Sequence, residues 1–470
     1  GAGRYEAAEG PFTEYRRQVE VTAEGDERYT VRQTVDFRLA VPYCGWLFLL
    51  PVKRALSRPP ADSPPWWAPP ARLDAQAASA LGCLCMLGLV FGYLNTLFNQ
   101  TIAFAGEEFG AGNAAQGLAG AVVRSGGVVA LAVAVVADRR GRRFVLLWAA
   151  TAGCILATGG AVAPSLPWLT ASQMAARAFA TALAIVVAIM AVEEMPARSR
   201  AYALSVLAMA SGLGAGVCLW ALPLADLGER GWRLLYVVPL VALPLLRNIG
   251  RRLPETRRFR TPHADAPLGR HGRRLLLLAA SGALVNLFVA PQAQFHNRFL
   301  RVERGFSGGG ISLLSLSVGT FAGVGVVAGG RLADVKGRRR VAAVALVFGT
   351  LLTTAFYFAD GWALWAWGMA GTLVFDASIP ALGVYGPELF PTSLRGRANG
   401  IVTIAALGGS ALGLLAAGQL ADGFGRIGPA MLVLAVGPVL LALLVLTLYP
   451  ETAGRELEDI NPEDRSPPTA

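Results

Sequence analysis

The stretch ADRRGRR at residues 137–143 follows a long apolar run, and a close relative, ADVKGRRR, recurs at 333–340. The two stretches share four residues at a constant offset of 196. The matching residues are Asp138, Gly141, Arg142 and Arg143 in the first stretch and Asp334, Gly337, Arg338 and Arg339 in the second. A repeat at such a long and constant offset indicates that a larger structural unit is duplicated.

Two further motifs keep nearly the same offset. Glu193-x-x-Pro196-x-x-x-Arg200 recurs as Glu388-x-x-Pro391-x-x-x-Arg395 at 195, and Pro254-Glu255-Thr256 recurs as Pro450-Glu451-Thr452 at 196. Any one of these motif pairs could arise by chance, but chance does not explain three pairs separated by nearly the same number of residues. We therefore predict that the chain consists of two copies of one unit.

The composition places both copies in a membrane. Of 470 residues, 54% are hydrophobic and 16% are charged, whereas soluble proteins are about 25% charged. A bilayer core needs roughly 20 apolar residues per helix, and a closed barrel would instead show short alternating segments. Twelve runs are long enough, at 77–104, 115–137, 144–163, 168–191, 201–225, 232–249, 274–295, 311–333, 341–359, 361–385, 398–421 and 428–449. The sequence predicts an all-α membrane protein with twelve transmembrane helices.

The distribution of arginine predicts the orientation of these helices. Basic clusters follow every even-numbered run up to the tenth, at 139–143, 198–200, 247–274, 331–340 and 395–397. By the positive-inside rule, both termini lie in the cytoplasm of a cell whose plasma membrane holds the protein. The net charge of +11 therefore reflects topology and not nucleic-acid binding. Some arginines outside this pattern are interpreted as interfacial or site-facing: Arg230, Arg233, Arg298, Arg301 and Arg304.

These motifs resemble those of the major facilitator superfamily of transporters. Its G-x-L-A-D-R-x-G-R-R signature is matched by Gly330 to Arg339 except at Val335, whereas the first copy has Ala134 in place of the opening glycine. GPELFPTSLRGRANG at 386–400 and PETRRF at 254–259 look like the sugar-porter and organic-ion branches. The resemblance implies two pseudo-symmetric six-helix bundles. The domains expected are an N-terminal extension 1–75, bundles 76–250 and 274–450, a linker 251–273 and a tail 451–470.

The extension 1–75 does not belong to the repeat. Apolar residues alternate with polar ones on both sides of a turn at 23–27, which predicts a cytoplasmic β-hairpin. The apolar stretch 39–51 is too short to span a bilayer, and Trp46 followed by Lys53 indicates that it lies in the membrane interface. The stretch 57–74 is a Pro-rich linker with Trp66 and Trp67.

Charges at the cytoplasmic helix ends are candidates for gating. Similarity to the family implies that they latch the cytoplasmic side while the binding site opens outward. The alternative is that they are solvated turns, because exposed ion pairs contribute only ~0–1 kcal/mol. The candidates are Asp138, Arg142, Glu193 and Arg200 in the first copy, and Asp334, Arg338, Glu388 and Arg395 in the second.

Polar residues within the predicted helices are candidates for binding cargo. Gln173, Arg177 and Thr181 recur every four residues and so share one face of the fourth helix. Hydrogen bonds between helices are the alternative role for such residues. The predicted ligands are Asn95, Asn99, Gln173, Arg177, Thr181, Asn286, Gln292 and Asp376.

Ionisable residues at membrane depth usually face a cavity. The family's arginine in the fourth helix corresponds in position to Gln173, so Arg177 lies one turn deeper and is expected to neutralise an anionic cargo. Asp376 is the only mid-membrane carboxylate. It is a candidate proton carrier, or else a permanent partner of Arg177. Arg124 in the second helix has two open interpretations, a bond to a carbonyl or an ion pair with Glu107 or Glu108.

The function expected is secondary active transport of a small polar or anionic organic solute, coupled to protons. The alternatives are efflux of amphipathic drugs and, in another class, a transporter-like receptor or scaffold. No Ser-His-Asp set, metal-spaced histidine cluster or carboxylate pair supports an enzyme. We expect no cofactor and no metal, a lipid bilayer and a small solute as partners, and a monomer.

Overall fold

The computed structural model describes residues 2–6, 10–23, 29–57, 69, 72–196, 199–253, 271–390 and 395–452. Within these residues, nine helices are long and apolar enough to cross a membrane, and three shorter, broken or partly polar ones complete the twelve predicted spans. The side of the bundle that carries Gly141 and Gly337 is called the basic side. The opposite side, with the turn at 109–112, is called the far side.

Each half contributes six spans. Spans 1 to 4 are Ala75–Glu108, Asn113–Arg140, Arg142–Thr158 and Leu166–Glu194. Span 5 is Arg200–Ala221 with a 3-10 extension Leu222–Asp226, and span 6 combines 3-10 turns Gly231–Tyr236 and Val238–Val241 with helix Ala242–Arg252. Spans 7 to 9 are Gly272–Arg298, Gly308–Lys336 and Arg338–Phe356. Span 10 is Trp362–Asp376, Ser378–Gly383 and Tyr385–Leu389; span 11 is Arg395–Phe424; span 12 is Ile427–Leu434 and Val436–Leu448.

The repeated glycine makes the same turn in both halves. Gly141 joins spans 2 and 3 with φ 98° and ψ 137°, and Gly337 joins spans 8 and 9 with φ 94° and ψ 137°. A positive φ of this kind strongly favours glycine, which has no Cβ to clash with the backbone. The duplication read from the sequence is therefore present in the backbone geometry.

Small residues allow the spans to pack backbone against backbone. A Cβ added at Gly92 in span 1 would lie 1.9 Å from the carbonyl oxygen of Ser211 in span 5. The halves meet where span 2 crosses span 11, and there a Cβ at Gly117 would lie 2.4 Å from the Leu414 carbonyl oxygen. Membrane helices associate through such close contacts because lipid tails are as apolar as the side chains, so the hydrophobic effect contributes little to helix association.

The N-terminal extension contains more structure than the predicted hairpin. Strands β2 (Phe12–Ala23) and β3 (Tyr29–Leu39) form the hairpin, and β1 (Ala2–Glu6) pairs with β2 as a third antiparallel strand. The predicted interfacial stretch 39–51 overlaps helix Gly45–Leu56, whose Trp46 and Leu50 are exposed. Most of the predicted linker, including Trp66 and Trp67, lies outside the described residues.

We expect Gly92→Ala to lower the melting temperature of the purified protein, because its methyl group would overlap the Ser211 carbonyl. Overpacking of this kind typically costs about 1–3 kcal/mol. Gly216→Ala in span 5 is the matched control, since a Cβ there meets nothing within 4 Å. Thermal unfolding of both variants in detergent measures the difference, and equal melting temperatures would contradict this account of the packing.

Candidate functional site

Two arginines lie at the same depth in neighbouring helices of the first half. Arg124 stands eleven residues after Asn113, the first residue of span 2, and Arg177 stands eleven residues after Leu166, the first residue of span 4. At 1.5 Å per residue, both are about 16 Å from the far end of their helix. We call Arg124 and Arg177 the paired-arginine site.

The two guanidinium groups have like charges that act on each other. Arg177 Nη1 donates a hydrogen bond to the backbone oxygen of Asn95, at 2.9 Å. Arg124 Nε is buried and has no hydrogen-bond partner within the described part of the chain. In the same part of the chain, no carboxylate is close enough to contribute to the electrostatics of either arginine.

The carboxylates considered as partners of Arg124 are bound elsewhere. Glu108 accepts hydrogen bonds from Arg233 Nη2 and Trp232 Nε1, each at 2.8 Å. Glu107 accepts a hydrogen bond from Arg301 Nε at 2.6 Å. Four of the arginines that did not fit the topology pattern thus form ion pairs on the far side, a role that the sequence analysis did not assign to them: Arg230, Arg233, Arg301 and Arg304. The fifth, Arg298, donates a hydrogen bond to the Asn113 side chain.

Asp376 stands where span 10 is interrupted. The first helical segment ends at Asp376 and the next begins at Ser378. Pro380 explains the break, because it has no N–H to donate to the carbonyl four residues earlier, which is that of Asp376. Interrupted helices commonly form the binding sites of transporters. Among the described residues, the Asp376 carboxylate has no ion pair or hydrogen bond, so the permanent pair with Arg177, the alternative to a proton carrier, is not formed in this structure.

Several other predicted ligands have side chains without hydrogen bonds to described residues. Asn95, Asn99 and Thr181 are half-buried in spans 1 and 4, and Gln292 is half-buried in span 7. Their polar atoms are therefore not committed to neighbouring helices in the described part of the molecule. Their contact with cargo stays a prediction.

Two predicted ligands instead connect helices. The Gln173 amide donates to the Ala157 carbonyl oxygen in span 3, at 3.0 Å, and the side chain is 4% exposed. Asn286 donates to the Gly282 carbonyl oxygen and accepts a hydrogen bond from Ser410 in span 11. These bonds match the structural role that the sequence analysis left open.

The gating candidates on the basic side are partly described. Arg142 and Glu193 form an ion pair within the first half, with side chains 15% and 16% exposed. In the second half, the backbone N–H groups of Arg338 and Arg339 donate to the Glu451 carboxylate. The remaining gating side chains lie outside the described residues: Asp138, Arg200, Asp334, Glu388 and Arg395. A latch between the halves on this side stays a prediction.

The family follows from comparison with known proteins. The model of the Major Facilitator Superfamily matches residues 84–268 and 275–469. The chain belongs to this superfamily. No curated protein matches it. Within the described residues, no group of three or more His, Cys, Asp or Glu side chains is arranged to hold a metal ion.

Solved structures of this superfamily have the same fold. A mutant of the nucleoside transporter NupG shares 11% identity, with a TM-score of 0.68, over 79% of this chain and 100% of that one. A bacterial homologue of the human lysosomal transporter Spinster, in an inward-facing and unoccupied conformation, shares 15%, with a TM-score of 0.67, over 84% and 99%. The xylose transporter XylE from E. coli, in an inward-open conformation, shares 18%, with a TM-score of 0.65, over 82% and 98%. At these identities the likeness establishes the fold alone. This superfamily member is a multi-pass membrane transporter.

We expect Pro380→Ala to slow transport several-fold without lowering thermal stability. An alanine at 380 supplies the N–H that the Asp376 carbonyl lacks, so the helix is expected to continue through the break and reorient the carboxylate. Pro438→Ala is the matched control, because Pro438 follows the similar break at Ala435 in span 12, which carries no ionisable residue. Uptake rates and melting temperatures test this; unchanged uptake in Pro380→Ala would show that the break is not functional.

Proposed function

We propose that the protein is a secondary active transporter of a small anionic organic solute, driven by a proton gradient and working by alternating access. The paired-arginine site is the observation that carries this proposal. In its working form the transporter is a monomer in the plasma membrane, with bundles 76–250 and 274–450 and both termini in the cytoplasm.

The physical argument starts from the cost of charge at membrane depth. An isolated charged side chain near the bilayer centre costs at least a few kcal/mol. A second like charge beside it increases that cost, and no described carboxylate offsets it. An anion between Arg124 and Arg177 would offset it and form charge-assisted hydrogen bonds with both groups. A carboxylate or phosphate group fits the planar guanidinium fork best.

Proton coupling is assigned to Asp376. An unpaired carboxylate at the interrupted part of span 10 can take up a proton when the site opens to one side and release it on the other. Protonation also removes its negative charge, which would otherwise repel an anionic cargo in the same cavity. Uptake of the proton therefore favours binding of the anion, which is the thermodynamic basis of symport.

We expect Arg177→Ala and Arg124→Ala each to raise the KM for an anionic cargo by roughly 10- to 100-fold, since a hydrogen bond to a charged group contributes about 1.5–3 kcal/mol. Arg177→Lys should raise the KM less than Arg177→Ala does, because lysine keeps the positive charge but lacks the planar guanidinium group that binds an anion with two N–H groups. Arg304→Ala, which removes an ion pair with Asp360 on the far side, is the control.

The measurement is uptake into proteoliposomes with an imposed pH gradient. Pooled labelled carboxylates, phosphate esters, neutral sugars and cationic dyes are screened first, and the KM of any hit is then compared among the variants. Uptake of neutral or cationic compounds alone, or anion uptake that is indifferent to both alanine variants, would overturn the assignment.

We expect Asp376→Asn to abolish concentrative uptake while leaving exchange of internal for external cargo intact. The amide cannot carry a proton, but it keeps the shape of the side chain. Counterflow in the absence of a pH gradient measures exchange, and gradient-driven accumulation measures coupling. If Asp376→Asn still concentrates the cargo, Asp376 is not the proton carrier.

A further inference from the structure

Two aspartates on the far side occupy equivalent positions in the two halves. Asp226 ends the extension of span 5, and Asp422 lies in the last turn of span 11, 196 residues later. This is the offset of the repeat. Neither aspartate belongs to the family-like motifs or to the paired-arginine site.

Asp226 binds the start of a helix in the other half. Its Oδ1 accepts a hydrogen bond from the backbone N–H of Gly308 at 2.8 Å, and its Oδ2 accepts one from Gly309 at 3.0 Å. These two residues open span 8, and the first N–H groups of a helix have no partner within the helix. One carboxylate from the first half therefore caps a helix of the second half with both of its oxygens.

Asp422 makes the reciprocal contact. Its Oδ1 accepts from the backbone N–H of Asn113 at 3.0 Å, and its Oδ2 accepts from Ala114 at 2.8 Å. These residues open span 2 in the first half. The donors are also related by the repeat, because Gly308 and Gly309 follow Asn113 and Ala114 by 195 positions.

Cations and further hydrogen bonds surround these contacts. Arg301 in the far-side turn after span 7 lies 3.9 Å from Asp226 and 2.6 Å from Glu107 in the first half. The Arg298 charge acts on Asp422, and its side chain donates to Asn113. The hydrogen bonds and ion pairs that join two described residues across the halves all lie towards the far side, so the halves are in direct contact there.

We propose that Asp226 and Asp422 form a twofold lock that holds the far side of the transporter closed and opens as one unit. Because the two contacts are related by the same repeat as the halves, a rotation that separates the halves on the far side lengthens both together. Each contact combines a charge with the positive end of a helix. The aspartates are partly exposed. Because water and salt screen exposed charges, each contact is weak enough to break in every transport cycle.

The test is hydrogen–deuterium exchange of the purified full chain with the double variant Asp226→Asn/Asp422→Asn. Asparagine keeps one acceptor oxygen and the side-chain shape but removes the charge. Two contacts contributing about 0.7 kcal/mol each would change the ratio of closed to open far side by about tenfold. We expect faster exchange in peptides covering 110–118 and 305–315, and slower exchange at the basic ends of spans 4 and 10.

The opposite change on the basic side is the decisive readout, because loss of a local hydrogen bond alone would not protect the other end of the molecule. Asp360→Asn is the matched control. Asp360 pairs with Arg304 on the far side, but both residues belong to the second half. An unchanged basic side in the double variant, or the same response in Asp360→Asn, overturns the proposal.

A covalent version keeps the test informative if the double variant fails to fold. A Cβ added at Gly112 would lie 3.6 Å from Asp422 Oδ2, so Gly112→Cys with Asp422→Cys places two thiols in reach of each other. The oxidised form should show a protected far side and an exchanging basic side, and reduction should shift both in the opposite direction. Identical exchange in the two forms overturns the lock. No cargo enters either experiment, so the result is independent of the proposed anion.

Discussion

The constraint behind this structure is that polar groups within a bilayer must find partners inside the protein. Most described polar side chains of the spans meet it with backbone carbonyl oxygens. The acceptor lies in a neighbouring helix for Gln173, which donates to Ala157, and in the same helix for Ser281, which donates to Leu277. Arg124 and Asp376 do not, within the described residues. These two ionisable groups lie in opposite halves of the duplicated bundle, and the proposed proton-coupled transport of an anion uses both.

Much of the fold follows from the sequence because the signals are periodic and long. Twelve apolar runs, arginine clusters on one side and a repeat of 196 residues determine the number of spans, the halves and the glycine turns. The irregular parts of spans 6 and 10 escaped prediction, since hydropathy does not distinguish a continuous α-helix from the 3-10 turns of span 6 or from the interrupted α-helix of span 10. Prolines 239 and 380 carried that signal, as each removes a backbone donor.

The site was predicted less completely, for a physical reason. A four-residue spacing places Gln173, Arg177 and Thr181 on one face of a helix, but it does not tell which neighbour each side chain contacts. Gln173 contacts span 3 and Arg177 contacts span 1, so the stripe divides between two partners. The far-side aspartates are separated by the offset of the repeat, which is a signal in the sequence. Their partners are backbone N–H groups, which every residue except proline has, so the sequence does not reveal which helix each aspartate binds.

The N-terminal extension is attached to one half only, through the contacts that the structure describes. Tyr43 donates a hydrogen bond to Asn248 in span 6, and Pro42 packs so closely on Gly82 in span 1 that a Cβ there would lie 2.9 Å from its ring. The three-stranded sheet is thereby attached to the first bundle and moves with it. A molecule bound to the sheet would therefore be coupled to the rotation of that bundle. If it held the sheet in place, it would oppose that rotation and slow the transport cycle.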